Sequence, residues 1–222
     1  MRKLAFALAL LGAASPLVAQ DKDPDVKAAG GGALPAGWQM RLDRKTAKAE
    51  DAKFVTMGPG FHVTSGASAV YYNPSQMAKG NYTVTASFTQ TKKPTHPEAY
   101  GIIFAGKQLD TPTQQYMYFI VRGDGKYMIK HRADDATVHT ITEWTENAAV
   151  TKEDASGKAT NELSAVVGAA KVSFLVNGTE VHSIDRSVIA GPGHIDGLDG
   201  VVGLRVNHNL DVHVGSFAVK QQ

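Results

Sequence analysis

Apolar and polar residues alternate along much of the chain with the two-residue period of a β-strand. In segment 82–88 (YTVTASF), apolar side chains alternate with threonine and serine, as expected for a strand with one face in a core and the other in solvent. Segments 100–105 and 115–122 are almost continuously apolar and rich in β-branched and aromatic residues. Such runs are typical of central strands that are covered on both faces.

Turn residues separate these segments at short intervals. Gly123-Asp124-Gly125 and Asn177-Gly178 each lie between two strand-like segments. Both predict hairpins, because glycine and asparagine tolerate the positive φ that tight hairpin turns need. Many short strands with almost no helix predict an all-β fold, a jelly-roll-like sandwich of two antiparallel sheets.

Two details refine this pattern. Segments 202–206 and 210–214 both alternate, and their closeness in sequence predicts that they pair with each other. Phe217 then breaks the phase by one residue, which predicts a bulge near Gly215-Ser216. One helical turn is predicted at 74–78, since Asn73 can act as a cap and proline suits the first helical position.

The N-terminus predicts export. Residues 1–3 are positively charged at Arg2 and Lys3, an apolar run follows at 4–14, and small residues lead out to position 20. This is the layout of a secretory signal peptide, and the apolar run is too short for a bilayer core of about 30 Å. We therefore expect a signal peptide at 1–20 and a periplasmic or extracellular protein. No later apolar run is long enough to cross a membrane.

The remaining chain predicts one domain. Residues 21–36 are charged and then rich in glycine, alanine and proline, which is typical of a flexible linker. The sandwich domain is expected at 37–222. The chain has no cysteine, so its stability must come from a core and not from disulfides.

Charge argues against nucleic acid as a partner. Loss of Arg2 and Lys3 with the signal peptide leaves 21 of the 23 basic side chains against 21 acidic ones. The basic residues are scattered singly, so the electrostatic footprint of nucleic-acid binding is missing.

Several strands together resemble a known superfamily. The chain reads NYTVTASF, YGIIFAG, QYMYFIVRGDGKY, then NELSAVVGAAKVSFLVNGTEV, GVVGLRV and a closing FAV. This order resembles the concanavalin A-like lectin/glucanase superfamily, and is closest to the laminin G-like domains and the 3-keto-disaccharide hydrolase domain proteins of secreted bacterial type. The resemblance covers residues 37–220. It implies a carbohydrate or polysaccharide partner, held on the concave sheet.

The expected function is therefore that of an exported, carbohydrate-associated domain that binds a glycan. Two alternatives stay open, a glycoside-acting hydrolase of the 3-keto-disaccharide hydrolase type and a structural or adhesion domain with no small ligand. The Glu-x-Asp-x-Glu strand of the related family 16 glucanases is missing, and acidic groups at 134–135, 143–146 and 196–199 lie in loop-like segments. No catalytic residue is assigned; Asp211, His213 and Glu143 would be the candidate bases of an enzyme.

Candidate sugar ligands are residues predicted to face away from the core. Sugars stack on aromatic rings and accept or donate hydrogen bonds to charged groups. Alternation turns Arg205 outward, and pairing of the last two strands would cluster it with Asp211 and His213. The alternative is that tyrosines such as Tyr118 are core and that the arginine stem only covers apolar sheet surface. The candidates are Arg205, Asp211, His213, Trp144, Arg122, Tyr118 and His131.

One loop is a candidate for calcium. Segment 193–200 is rich in glycine and carries Asp196 and Asp199, and lectin-like relatives bind Ca²⁺ at a sandwich rim. Calcium needs six to eight oxygen ligands. Two carboxylates fall short of that set, so a solvated connecting loop is the other interpretation. Ca²⁺ is the single cofactor that the sequence suggests.

Overall fold

The protein is a sandwich of two antiparallel β-sheets with seven strands each, which confirms the predicted fold class. The computed structural model describes residues 25–191 and 194–222. The predicted signal peptide lies outside the described residues. Within the described part, no helix is long and apolar enough to cross a membrane.

Strands account for most of the described chain, with one short helix and one 3-10 turn (Ala49–Asp51) between them. The elements are β1 (Gln39–Leu42), β2 (Ala52–Met57), β3 (Gly60–Ser65), β4 (Ala69–Ala78), β5 (Tyr82–Gln90), β6 (Ala99–Lys107), β7 (Gln115–Arg122), β8 (Lys126–Arg132), β9 (Val138–Glu146), β10 (Ala159–Val167), β11 (Lys171–Val176), β12 (Thr179–Asp185), α1 (Arg186–Ile189), β13 (Gly200–Val206) and β14 (Leu210–Gln221).

The strand order keeps some consecutive strands together, as in β6-β7-β8-β9, and sends others, such as β13 and β14, to opposite sheets. The first sheet has the order β1-β4-β13-β6-β7-β8-β9, and the second has the order β12-β11-β10-β5-β14-β3-β2. The predicted pairing of β13 with β14 is therefore wrong. The turn between these two strands passes from the first sheet to the second, with Asn209 at a φ of 53°. Alternation shows which way a side chain faces, and it does not show which sheet a strand joins.

The core lies between the two sheets and is largely aromatic. Trp38 closes one end of it, with its ring edge-on to Phe54 at 5.0 Å between ring centroids. The central strands β6 and β7 are buried on both faces, as their continuous apolar runs predict. The largest inward-facing side chains are Phe54, Phe88, Tyr71, Tyr82, Tyr100, Phe104, Phe119 and Phe174.

The predicted turns and the predicted bulge are confirmed. Gly125 has a φ of 87°, and Asn177 and Gly178 have φ values of 51° and 78°, so each hairpin uses the left-handed backbone that these residues tolerate. The register of β14 against β5 shifts between Val214 and Ser216. This shift returns the apolar side chains of the strand to the core side.

The predicted helical turn at 74–78 is wrong, because these residues belong to β4. Between Tyr72 and Met77, β4 bulges away from β13. Pro74 lies inside this bulge, where the lack of an N–H costs no ladder hydrogen bond. The Asn73 side chain accepts a hydrogen bond from Ser75 N at 3.0 Å. A helix cap and an Asx turn use the same local chemistry, which is why the pattern misled.

Residues 143–146 form the end of β9 and are not a loop. This strand is the edge of the first sheet, and most of its residues are exposed or half-buried. An exposed edge strand lacks the apolar alternation that identifies a strand in sequence.

Residues 25–36 lie against the sandwich. Val26 N donates to Asn209 Oδ1 at 2.9 Å, and Gly32 N donates to Ala52 O at 3.0 Å. Ala28 is buried. The division of the chain into a linker at 21–36 and a domain at 37–222 stays a prediction.

Candidate ligand-binding face

Arginines and tyrosines gather on the outer face of the first sheet. On β7, Tyr116 and Tyr118 point away from the main core into a second, smaller apolar cluster. Arg132 lies directly opposite Tyr116 on β8, and Arg205 reaches Tyr118 from β13. We call this surface, with Arg122 at its far end, the arginine face.

Arg205 crosses a neighbouring strand to reach its aromatic partner. Its position opposite Gly101 on β6 leaves no side chain in its path. The guanidinium carbon lies 4.9 Å from the centre of the Tyr118 ring, within the range of a cation–π contact. Arg205 is 6% exposed and Tyr118 is 5% exposed, so both side chains are held in fixed positions.

Asp43 fixes the guanidinium of Arg205. Arg205 Nη1 donates to Asp43 Oδ1 at 3.1 Å, and Nη2 donates to Oδ2 at 2.5 Å. Burial alone would raise the pKa of Asp43, but the charge and hydrogen bonds of Arg205, with smaller contributions from Arg132 and Arg41, together outweigh it and hold that pKa below its usual value. Burial likewise disfavours charged Arg205, and the charge and hydrogen bonds of Asp43, with contributions from Tyr116 and Tyr118, together outweigh it and raise the arginine pKa. The two groups therefore stay an ion pair at neutral pH.

Tyr116 joins two arginines. Its hydroxyl oxygen accepts from Arg205 Nη1 at 3.2 Å and from Arg132 Nε at 3.0 Å. Arg132 Nη1 also donates to the backbone carbonyls of Asp134 and Asp135, at 3.4 Å and 3.3 Å. Burial raises the pKa of Tyr116, so its phenol is neutral at pH 7 and accepts the hydrogen bonds of the two arginines as an uncharged group.

A second ion pair closes one end of the arginine face. Arg41 Nη2 on β1 lies 2.5 Å from Asp135 Oδ1, and Gln114 Nε2 donates to the same oxygen at 2.7 Å. Burial opposes these contacts, yet together they lower the pKa of Asp135. Gln114 is 4% exposed, and its Oε1 has no hydrogen-bond partner.

An aromatic platform lies at the other end. The guanidinium carbon of Arg122 is 4.3 Å from the centre of the Trp144 ring, and Arg122 Nε donates to Asp124 Oδ1 at 2.8 Å. Trp144 is half-buried. Its ring is therefore held by the arginine while part of it stays accessible.

A small cavity extends the arginine face toward β1. Its volume is about 290 Å³, and Tyr72 lies in its wall, on the same face as Tyr118. The loop after β6 forms one side of it. The lining residues are Gln39, Tyr72, Pro74, Gln108, Leu109, Asp110 and Val201.

The outer face of the second sheet has a different character. Thr85 and Ser164 pair through their hydroxyls at 2.8 Å, and Thr89 and Thr160 do so at 2.9 Å. We call this surface, defined by these four residues, the hydroxyl face.

Asp211 and His213 belong to the hydroxyl face, on the far side of the sandwich from Arg205. Asp211 Oδ1 lies 3.1 Å from His62 Nε2, and its Oδ2 accepts from Thr64 Oγ1 at 3.2 Å. The predicted cluster of Asp211 and His213 with Arg205 is wrong, because β13 and β14 lie in different sheets. Whether either residue binds a ligand by itself stays a prediction.

His131 also lies away from the arginine face. It is 2% exposed, and alternation along β8 places it on the opposite side from Arg132. Its ring stacks on His139 with centroids 5.5 Å apart. Burial, with a smaller contribution from His139, lowers the pKa of His131 to about 4, so the imidazole is neutral at pH 7. Its role as a ligand residue stays a prediction.

The two candidate calcium ligands have separate surroundings. Asp199 Oδ1 accepts from Gly80 N at 2.8 Å, whereas the charge of Asp196 acts on His131. Across residues 25–191 and 194–222, no three histidine, aspartate or glutamate side chains are grouped so that they could hold a metal ion. Residue 193 of this loop lies outside the described residues, and calcium binding stays a prediction.

The structure thus brings together four of the predicted ligand residues, Arg205, Tyr118, Arg122 and Trp144, on one face. Sequence reasoning missed the residues that hold them. Arg132 could have been found, because alternation along β8 places it on the same outer face of the sheet as Lys130, two residues earlier. Asp43 gave no such signal, because it follows the end of β1 in an irregular segment.

Solved structures share this fold. No protein-family model matches the sequence, and none of the curated proteins matches it. The carbohydrate binding module CBM66 from Bacillus subtilis aligns with a TM-score of 0.59 and 12% identity, over 83% of this chain and 96% of that one. A Bacillus subtilis protein of unknown function with a galectin-like fold aligns with a TM-score of 0.59 and 15% identity, over 83% and 89% of the two chains.

A third structure extends the comparison to an enzyme family. The GH16 protein of the Bacteroides ovatus mixed linkage glucan PUL, in complex with its G4G4G3G product, aligns with a TM-score of 0.54 and 8% identity, over 82% of this chain and 94% of that one. The chain therefore has the concanavalin A-like jelly-roll fold. At these identities the likeness concerns the fold alone.

Proposed function

We propose that this protein is a glycan-binding module and that its ligand lies on the arginine face. The observation that carries the proposal is the buried Arg205, which Asp43 and Tyr116 hold in place above the ring of Tyr118. An ion pair on the outside of a sheet that buries its arginine to 6% exposure, while Asp43 keeps part of its side chain in solvent, is more than the sandwich needs to fold. Such rigid positioning is what a ligand-binding surface requires.

The chemistry of this face suits a sugar. A sugar ring presents an apolar side that packs on aromatic rings and a rim of hydroxyls that hydrogen-bond to charged groups. Trp144 supplies a partly accessible ring that Arg122 holds from one side. The cavity beside Tyr72 adds a recess for a second part of the ligand.

The fold supports the same proposal by analogy. One neighbour is named as a carbohydrate binding module, and another was solved with a glucan product. A fold hosts many functions, so this support is weaker than that of the site itself. We further propose, from the pattern of residues 1–20, that the protein is exported to meet its glycan outside the cytoplasm.

Binding is favoured over hydrolysis by the state of the carboxylates. A glycosidase of the common two-carboxylate type needs a general acid with a raised pKa. The pKa values of Asp43 and Asp135 are both lowered, because the contacts of Arg205 with Asp43, and those of Gln114 and Arg41 with Asp135, contribute most to outweighing burial. Both carboxyl groups stay ionised and are held in ion pairs with arginines, so neither suits the role of the general acid.

The test is a glycan-array screen of the purified protein, followed by titration calorimetry on the glycans that bind. Trp144→Ala removes the platform, and we expect at least about a tenfold loss of affinity, since stacking residues at the centre of a site dominate binding. Thr160→Val on the hydroxyl face is the matched control and should bind as the wild type does.

Two further arms make the result decisive. Repeating the titration with calcium and with a chelator tests the predicted rim site, because affinity that depends on calcium would support Asp196 and Asp199 as ligands. A folded protein that binds no glycan on the array would refute the proposal. That result would favour the alternative of a structural or adhesion domain.

A further inference from the structure

Positive charge on the arginine face exceeds the negative charge available to pair with it. Asp43 is taken by Arg205, Asp135 by Arg41, and Asp124 by Arg122. These three carboxylates are therefore already engaged by arginines, whereas Asp110, in the wall of the cavity toward β1, forms no ion pair within the described residues.

Two cations of β8 are left over. Within the described part of the chain, neither Lys130 nor Arg132 forms an ion pair with a carboxylate. The hydrogen bonds of Arg132 go from Nε to a phenol and from Nη1 to two backbone carbonyls. Its Nη2 donates to no residue that the structure describes. The carboxylate of Asp134, the nearest in sequence, accepts instead from Ala136 N and Thr137 N.

Both cations lie beside the aromatic rings. Lys130 is directly opposite Tyr118, and Arg132 is directly opposite Tyr116. Residues two apart on a strand share a face and are about 7 Å apart. Both side chains are half-buried, so their charges lie at the surface of the site and not out in bulk solvent.

Unpaired polar atoms mark the same place. Arg205 and Gln114 are 6% and 4% exposed, yet Arg205 Nε and Gln114 Oε1 have no hydrogen-bond partner. Buried polar atoms in native proteins are nearly always paired, with protein, water or a ligand. Arg205 Nε is a hydrogen-bond donor and Gln114 Oε1 is an acceptor, and both lack a partner. A ligand that carries both an acidic group and hydroxyls could supply partners to the two atoms.

We infer that the ligand of the arginine face is an anionic glycan, whose acidic group, a carboxylate or a sulfate ester, is bound by Lys130 and Arg132. This inference rests on the proposed function and narrows it. Arg132 offers a planar donor pair that matches either oxyanion, and Lys130 adds a point charge. Neutral hydroxyls of the same sugar ring then meet Arg205 and Gln114.

The experiment compares polymers that differ only in charge. Polygalacturonate and its fully methyl-esterified form share one backbone, and dextran sulfate and dextran form a second such pair. We expect calorimetric binding to at least one charged member, at least about tenfold tighter than to its neutral counterpart. The affinity should fall as salt rises, since ion pairs with the ligand are screened.

Variants separate specific recognition from general attraction. Lys130→Gln touches no internal hydrogen bond, so it should fold normally and bind the charged polymer at least about tenfold more weakly. Lys220→Gln removes the same charge from an exposed position on the second sheet and should leave affinity within about twofold, since it lies far from the site. An equal loss in both variants would overturn the inference.

Each outcome is informative. Preference for polygalacturonate identifies a carboxylate, and preference for dextran sulfate identifies a sulfate. Equal or tighter binding of the neutral polymers would overturn the inference and leave glycan binding intact. A folded protein that binds none of the four polymers and no glycan on the array would refute both.

Discussion

The two outer faces of the sandwich cover their sheets with opposite kinds of side chain. On the hydroxyl face, short threonine and serine side chains pair with each other across strands, as Thr85 does with Ser164. On the arginine face, long charged side chains lie flat over tyrosines and are largely covered, as Arg205 is over Tyr118. Both faces belong to antiparallel sheets of seven strands that share one core.

The two faces differ in what it costs to order their side chains. Small hydroxyls lose little side-chain entropy when they are ordered and stay hydrated. A buried ion pair loses the hydration of two charges, and its Coulomb attraction repays that only with good geometry. A second hydroxyl face would avoid that cost, and the proposal that the arginine face binds a ligand would account for the difference.

The largest expected effect is on the ion pair between the buried Arg205 and the partly exposed Asp43. Asp43→Ala leaves Arg205 charged and uncompensated, so we expect the free energy of unfolding to fall by about 3–5 kcal/mol. Chemical denaturation would measure it. The double variant Asp43→Ala with Arg205→Met removes both charges and should recover most of that loss. If the single variant is as stable as the wild type, the pair is not the anchor of this face.

The next effect concerns the gap that Arg205 crosses. A Cβ at Gly101 would lie 2.1 Å from Phe119 O and 2.8 Å from Ile120 Cα, both backbone atoms that cannot move alone. Gly101→Ala should therefore destabilise by about 1–3 kcal/mol and weaken glycan binding as well. Ser87→Ala in the second sheet is the control and should do neither. An unchanged melting temperature in Gly101→Ala would contradict the close packing described above.

A smaller, pH-dependent effect is expected where the chain passes between the two sheets. His208 Nε2 lies 2.7 Å from Glu98 Oε1 and its Nδ1 lies 3.2 Å from Asp25 Oδ1. Hydrogen bonding to Glu98, less the opposing effect of burial, raises the pKa of His208. Stabilisation by the charged imidazole is therefore complete below its ordinary pKa of 6.5 and is lost as pH rises through the raised value.

His208→Gln tests that sign. The variant should lose about 1 kcal/mol of stability at pH 5.5 and nearly nothing at pH 9, by denaturation at the two pH values. Stability losses of the same size at both pH values would show that His208 acts through packing and not through charge.

The smallest effect is expected on the hydroxyl face. Thr160→Val removes one hydrogen bond between exposed hydroxyls and keeps the β-branched shape. We expect a change in stability within about 0.5 kcal/mol, and no change in glycan affinity. A loss as large as that of Asp43→Ala would abolish the contrast between the two faces.

Local patterns predicted the elements well and their assembly poorly. Apolar runs identified β6 and β7 as central, and Asn177-Gly178 gave its hairpin, because both depend on residues that are near each other in sequence. Alternation also turned Arg205 outward correctly. The partner Asp43 could not be found, since it lies in a segment without periodicity and 162 positions away in the chain.

The crossing between β13 and β14 has a consequence for how the protein folds. β14 lies between β5 and β3 in the second sheet, where its Val212 pairs with Val63 of β3. A hairpin of β2 and β3 that forms early during synthesis has no place in the sheet until residues 210–221 have emerged. Pairing over such a sequence separation slows folding, so one edge of β3 stays unpaired until β14 has joined the sheet.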